Sequence, residues 1–171
     1  GEYKLMGLAP YGNPVFKKKI YDNLIHVFED GSFILNQKYF DYTTGLKMTS
    51  EKMEELFGTK ARKEKEEILP IHMDIAASIQ AVLEEVILKI CLCVKKITNL
   101  NNLCLAGGVA LNCVANSKII KNNIFEKIWI QPASSDSGGA LGAAQFVYYH
   151  LLNNDRNVKN EDNMKGSYLG N

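Results

Sequence analysis

The chain has 171 residues, 46% of them hydrophobic and 23% charged, and its 20 basic and 19 acidic residues leave a formal net charge of +1. That mix suits one soluble globular domain with a real core, and the near-balance of charge gives no signal for nucleic acid or an anionic membrane. No apolar run reaches the roughly 18 residues of a membrane span, and no signal peptide is visible.

In chain order, Glu2 to Ala9 reads as a short helical segment ended by Pro10, Gly12 and Pro14. Val15 to Asn23 is a predicted helix whose Lys17, Lys18 and Lys19 form a solvated face. Asp30-Gly31, between Ile25–Glu29 and Ser32–Leu35, is the strongest hairpin signal in the chain. Thr49 to Phe57 reads as a helix started by Thr49 or Ser50, and Lys60 to Glu67 as an exposed charge run. The longest predicted helix runs from about Asp74 to Ile97. Its apolar stripe is Ile75, Ile79, Val82, Leu83, Val86, Ile90, Val94 and Ile97, and its outer face carries Gln80, Glu84, Glu85, Lys89, Lys95 and Lys96. A buried strand is predicted at Leu103–Leu105, a helix at 110–121, a strand at 127–131 and a helix from about Gly138 to Leu152. The Asn-rich tail from Asn153 reads as a linker or boundary. This alternation implies parallel strands with covering helices, an α/β arrangement.

In such sheets ligands gather beyond the carboxyl ends of the strands. Two small-residue turns lie there. In LCLAGGVALNCVAN, Gly107 and Gly108 separate a strand from a helix, where bare backbone N–H groups and the positive helix end can hold a phosphate or simply join two elements. Asn112 follows in the first helical turn, able to contact a phosphate or ribose or to cap its own backbone. In ASSDSGGALGAA, Asp136 stands between a strand end and a helix start, as a helix cap, a metal ligand or a general base. Gly138 and Gly139 permit ligand approach, whereas Gly142, Ala143 and Ala144 suit helix packing. Cys91, Cys93, Cys104 and Cys113 read as buried, reduced thiols rather than a zinc site, which fits a cytoplasmic location. His26, His72 and His150 show no ligand-like spacing, and His72 stands where a polar residue caps the long helix.

Four stretches, GEYKLMGLAPYG, DIAASIQAVLEE, LCLAGGVALNCVANSKI and QPASSDSGGALGAA, together resemble the O-carbamoyltransferase family of nodulation-factor and antibiotic-tailoring enzymes. They occur in the family's order and cover nearly the whole chain. KGSYLGN at the end is similar to the family's passage into its next domain. The resemblance implies the C-terminal lobe of an actin-like ATPase, ribonuclease H-like transferase domain: a mixed sheet with parallel core strands, spanning residues 1–152, with 153–171 a linker toward a YrdC-like domain. It implies transfer of a carbamoyl group from carbamoyl-adenylate, made from carbamoyl phosphate and ATP, to an acceptor hydroxyl of a small molecule. By the same resemblance Asp136 looks like a metal ligand, with iron the metal in relatives. Gly107, Gly108 and Asn112 look like nucleotide contacts, Gly7 lines the nucleoside site, and Glu2 and Lys4 are weaker neighbours.

The family's paired metal histidines come from an HxxxH motif, and this chain has none. The chain opens in what reads as the middle of an element, so it is expected to be a piece of a longer polypeptide. The HxxxH-bearing lobe and the adenylate-forming domain would then lie elsewhere, and the piece alone would lack activity. Two other readings stay open: a tRNA threonylcarbamoyladenosine-type transferase, and a non-catalytic nucleotide-binding module of the same fold.

Overall fold

A computed structural model describes residues 2–158. The elements in chain order are α1 (Glu2–Leu8), α2 (Lys17–Asn23), β1 (Ile25–Val27), β2 (Phe33–Leu35), α3 (Glu51–Phe57), α4 (Pro70–Thr98), β3 (Asn102–Leu105), α5 (Cys113–Lys121), β4 (Lys127–Ile130) and α6 (Gly138–Phe146). A π-helical turn, Val147–Leu151, extends α6. Residues 153–158 carry no regular structure and are exposed, and the KGSYLGN stretch lies outside the described residues.

The mixed sheet expected from the resemblance is not formed among the described residues. β1 and β2 make one antiparallel pair, and β3 and β4 make a separate parallel pair in the register Leu103 to Ile128 and Cys104 to Trp129. The α/β character and the parallel pairing agree with the sequence. The hairpin is longer than its Asp30-Gly31 signal suggests. Phe28 N–H donates to Ser32 O across five loop residues, the Asp30 carboxylate accepts from Ser32 N and Oγ, and Gly31 takes φ +86°.

Helix α4 organises the molecule. Pro70, which lacks an N–H to satisfy, opens it, and Asn99 in the left-handed region closes it, so it begins four residues before the predicted start. His72 lies inside the first turn, where its Nδ1 accepts from Leu69 N–H at 3.1 Å. At 29 residues the helix is about 43 Å long, enough to serve two cores. Val82 and Val86 join Ile20, Leu24 and Phe57 in the first. Cys91 joins Ile119, Ile124 and Phe125 in the second, with Leu103, Leu105 and Ile128 packed on it from the parallel strands.

Four expectations for this region are corrected. The stripe does not stay buried to its end: Ile97 is 76% exposed, because the second core rotates onto Cys91 and leaves the 90–94–97 line outside. Gln80 is not on the outer face; it is buried. Beside it Ala76 and Ala77 are buried as well, a small-residue face that lets another element come close. Among the described residues the strand at 103–105 is covered on one side only, so Cys104 and its partner Trp129 are exposed. Of the four free thiols only Cys91 is buried; Cys104 and Cys113 are exposed.

The N-terminal stretch docks on the first turns of α4. Gly12 sits so close that a Cβ there would collide with the Met73 carbonyl. Asn13 N–H donates to Asp74 Oδ1 at 2.7 Å, and Phe16 N–H to Ser78 Oγ at 3.0 Å. The GLAPYG and DIAAS stretches are therefore each other's partners.

Candidate functional site

The site is built at the carboxyl ends of β3 and β4. After Leu105 the chain turns at Gly107, whose φ of +98° and ψ of 165° suit only glycine. A 3-10 turn, Gly108–Leu111, follows before α5 begins at Cys113. The helix predicted from residue 110 is thus two short pieces, and the amides after the paired glycines belong to a tight turn. After Ile130 the second loop carries Gln131 to Ser137 into α6.

The two loops meet. Gly107 N–H donates to Ser134 O at 2.9 Å, two residues before Asp136. Among the described residues the N–H groups of Gly108 and Val109 find no acceptor. Gly107 itself has spent its donor on the second loop.

Asn112 is 5% exposed and its carboxamide is occupied. Its Oδ1 accepts from Ala115 N–H at 3.0 Å, which makes it the N-cap of α5, and it exchanges hydrogen bonds with Gln80. Of the two roles open to it from sequence, the structure displays the capping one. Asp136 is exposed and makes no ion pair among the described residues. Ser137 occupies the N-cap position of α6 without a side-chain bond, so Asp136 does not cap that helix. Its carboxylate is left as a hard oxygen donor open to solvent. Among the described residues no three His, Cys, Asp or Glu side chains gather to hold a metal.

Gly7 lies on α1, which packs on α4 and touches the Gly108–Leu111 turn. Next to it, Met6 Sδ is 3.8 Å from Cys113 Sγ at the start of α5. A Cβ at Gly7 would meet nothing within 4 Å. A helical glycine with open space gains nothing from packing and costs about 1 kcal/mol relative to alanine. Lys4 on the same helix is exposed. At the start of α6 Gly138 is required for a local reason: a Cβ would strike Ala133 O. Gly142 has open space and α6 buries no residue, so the packing expected of Gly142, Ala143 and Ala144 is absent among the described residues.

Sequence reasoning missed Gln80 as part of this region, because its partner is 32 residues away. The available signal was its place beside Ala76 and Ala77 on one helical face.

The family model for the Carbamoyltransferase N-terminus matches residues 1–145. The chain belongs to that carbamoyltransferase family. It is 53% identical over 99% of its length to an uncharacterized protein of Synechocystis sp., of which it spans 28%. It is 34% identical over 88% of its length to nodulation protein NolO of Bradyrhizobium diazoefficiens and to nodulation protein NolNO of Sinorhizobium fredii, spanning 25% and 20% of them. The chain therefore covers between 20% and 28% of these curated relatives. No helix among the described residues is long and apolar enough to cross a membrane.

Proposed function

We propose that the chain is the C-terminal lobe of an actin-like transferase domain and supplies one wall of a carbamoyl-adenylate site in an ATP-dependent O-carbamoyltransferase. The single observation that carries this reading is the Gly107 N–H···O Ser134 bond. It ties the open turn amides and the exposed carboxylate to one edge of one sheet.

In this reading the N–H groups of Gly108 and Val109 bind the adenylate phosphate and hold it in place. Gly7, with no side chain, leaves room for the nucleoside beside α1. Asp136 fits as one ligand of a divalent cation, iron by the resemblance, with the remaining ligands in the HxxxH-bearing lobe of the longer polypeptide. Such a cation, when bound, polarises the carbamoyl carbonyl and offsets charge on the phosphate. The acceptor's hydroxyl oxygen bonds to the carbamoyl carbon and gives up its proton to solvent, the carbon–oxygen bond to phosphate breaks, and AMP leaves with the electron pair. Preorganised amides suit that step, because they face the oxygen on which negative charge grows. A YrdC-like domain in the same polypeptide supplies the adenylate, and the acceptor is a small hydroxyl compound. By itself the 171-residue chain is inactive.

The test is carbamoyl transfer by the carbamoyltransferase that carries this sequence. Asp136→Ala is expected to lower kcat by about 100-fold or more and to reduce bound metal, with carbamoyl-adenylate formation retained. Unchanged transfer in that variant removes Asp136 from the chemistry.

A further inference from the structure

We infer that Gln80 is a positioning residue for the Gly108–Leu111 turn and acts through Asn112; the inference rests on the nucleotide reading above and names what holds that site in shape. Gln80 is 4% exposed and too deep to touch a ligand at the loop surface. Its carboxamide and that of Asn112 are paired in both directions. Gln80 Nε2 donates to Asn112 Oδ1 at 3.1 Å, and Asn112 Nδ2 donates to Gln80 Oε1 at 2.9 Å. The Asn112 backbone N–H in turn donates to Val109 O at 2.9 Å, and Asn116 Nδ2 to Ala110 O at 2.7 Å. Two carbonyls of the turn are therefore gripped from the α5 side, and the grip is referred back to α4 by a single side chain. A further hydrogen bond from Gln80 Nε2 goes to Glu84 Oε1 at 2.9 Å, and Glu84 Oε2 faces Lys118 Nζ at 3.7 Å. Among the described residues no buried side-chain nitrogen or oxygen is left unpaired.

Such a fully satisfied buried network fixes one geometry, and removing one partner strands the other. The Gly108 and Val109 amides sit on the turn whose far end is Asn112. Their aim toward a phosphate depends on the pair, although neither carboxamide faces the ligand.

ATP is the probe, and the carbamoyltransferase that carries this sequence, isotopically labelled in these 171 residues, is followed by amide and side-chain carboxamide NMR. Gln80→Leu keeps the volume and removes the pairing. It is expected to bind ATP about tenfold more weakly, the loss of one buried hydrogen-bonded partner, and to exchange the Gly107 and Ala115 N–H groups faster. Val86→Ala, a packing change in the same helix, is expected to lower stability and leave ATP affinity unchanged. In the unmutated chain the Gln80 and Asn112 carboxamide resonances move with the Gly108 amide at one ATP midpoint, which decides the matter if Gln80→Leu does not fold. Equal ATP affinity in Gln80→Leu, an equal loss in Val86→Ala, or carboxamide resonances that stay still while Gly108 moves overturns the inference. No ATP response from Gly107 to Leu111 in the unmutated chain overturns the nucleotide reading, and the inference falls with it.

Discussion

At Gly107 one backbone conformation decides the corner. Its φ of +98° lies where an L side chain is strained even though space is open around it. Gly107→Ala is expected to cost about 1–3 kcal/mol, read by chemical denaturation, and to speed exchange of its own N–H by weakening the bond to Ser134. Unchanged stability and exchange would show that the corner tolerates a side chain. The paired glycines were legible in sequence because glycine's permissiveness is local. The occupation of Asn112 was not, because pairing with Gln80 is decided by how α4 and α5 pack. A second residue-scale network joins α2 to α4: Lys17 Nζ and Tyr21 Oη both donate to Glu85. Partial burial pushes Glu85 up, but the hydrogen bonds from Lys17 and Tyr21 and the charges of Lys17 and Lys89 outweigh it, so its carboxyl lies below its ordinary value. Its stabilisation is present above the ordinary carboxylate pKa and is lost as pH falls through the lowered value. Burial, then the hydrogen bond and charge of Glu85, push the Tyr21 phenol up to about 12. Its contribution is full below the unperturbed 10.0 and is lost as pH rises toward about 12. Glu85→Gln should flatten the acid limb of the stability curve, and Tyr21→Phe the alkaline limb. Denaturation midpoints across pH that match the unmutated chain would contradict this.

At the scale of elements, α4 and α6 are opposites. The first is clamped by two cores, by the Gly12 contact and by the Gln80 pair. The second buries nothing among the described residues, and Phe146 and Leu151 around its end are 63% and 68% exposed. Hydrogen exchange should therefore be slow in the middle of α4 and fast throughout α6, because local stability follows buried contacts. Equal protection would mean that α6 is held by something else. Ile119, fully buried on α5, should cost about 2–5 kcal/mol when cut to alanine, and its loss should also loosen the turn before α5. Element type and order were legible because periodicity and punctuation are local. Which helices gain a partner was not, since period alone does not reveal how many strands and layers surround a helix. That is why the stripe through Ile97 and the strand residue Cys104 were expected inside and lie outside.

Across the whole molecule, a chain near charge balance exposes its single tryptophan, Trp129 at 48%, on a face of a two-stranded sheet that nothing among the described residues covers. The family was readable from four stretches in order, yet those stretches divide by task. GLAPYG and DIAAS hold each other, whereas the glycine pair and the Asp136 loop form the open edge. That the two loops form one ligand-binding edge is tested most directly by titrating the carbamoyltransferase that carries this sequence with ATP and following the backbone amides of these 171 residues. The account predicts shifts confined to Gly107–Leu111, the Ser134–Gly139 loop and the neighbouring part of α1, all with one midpoint. Shifts in only one of the two loops, or centred on the β1–β2 hairpin or α3, would contradict it.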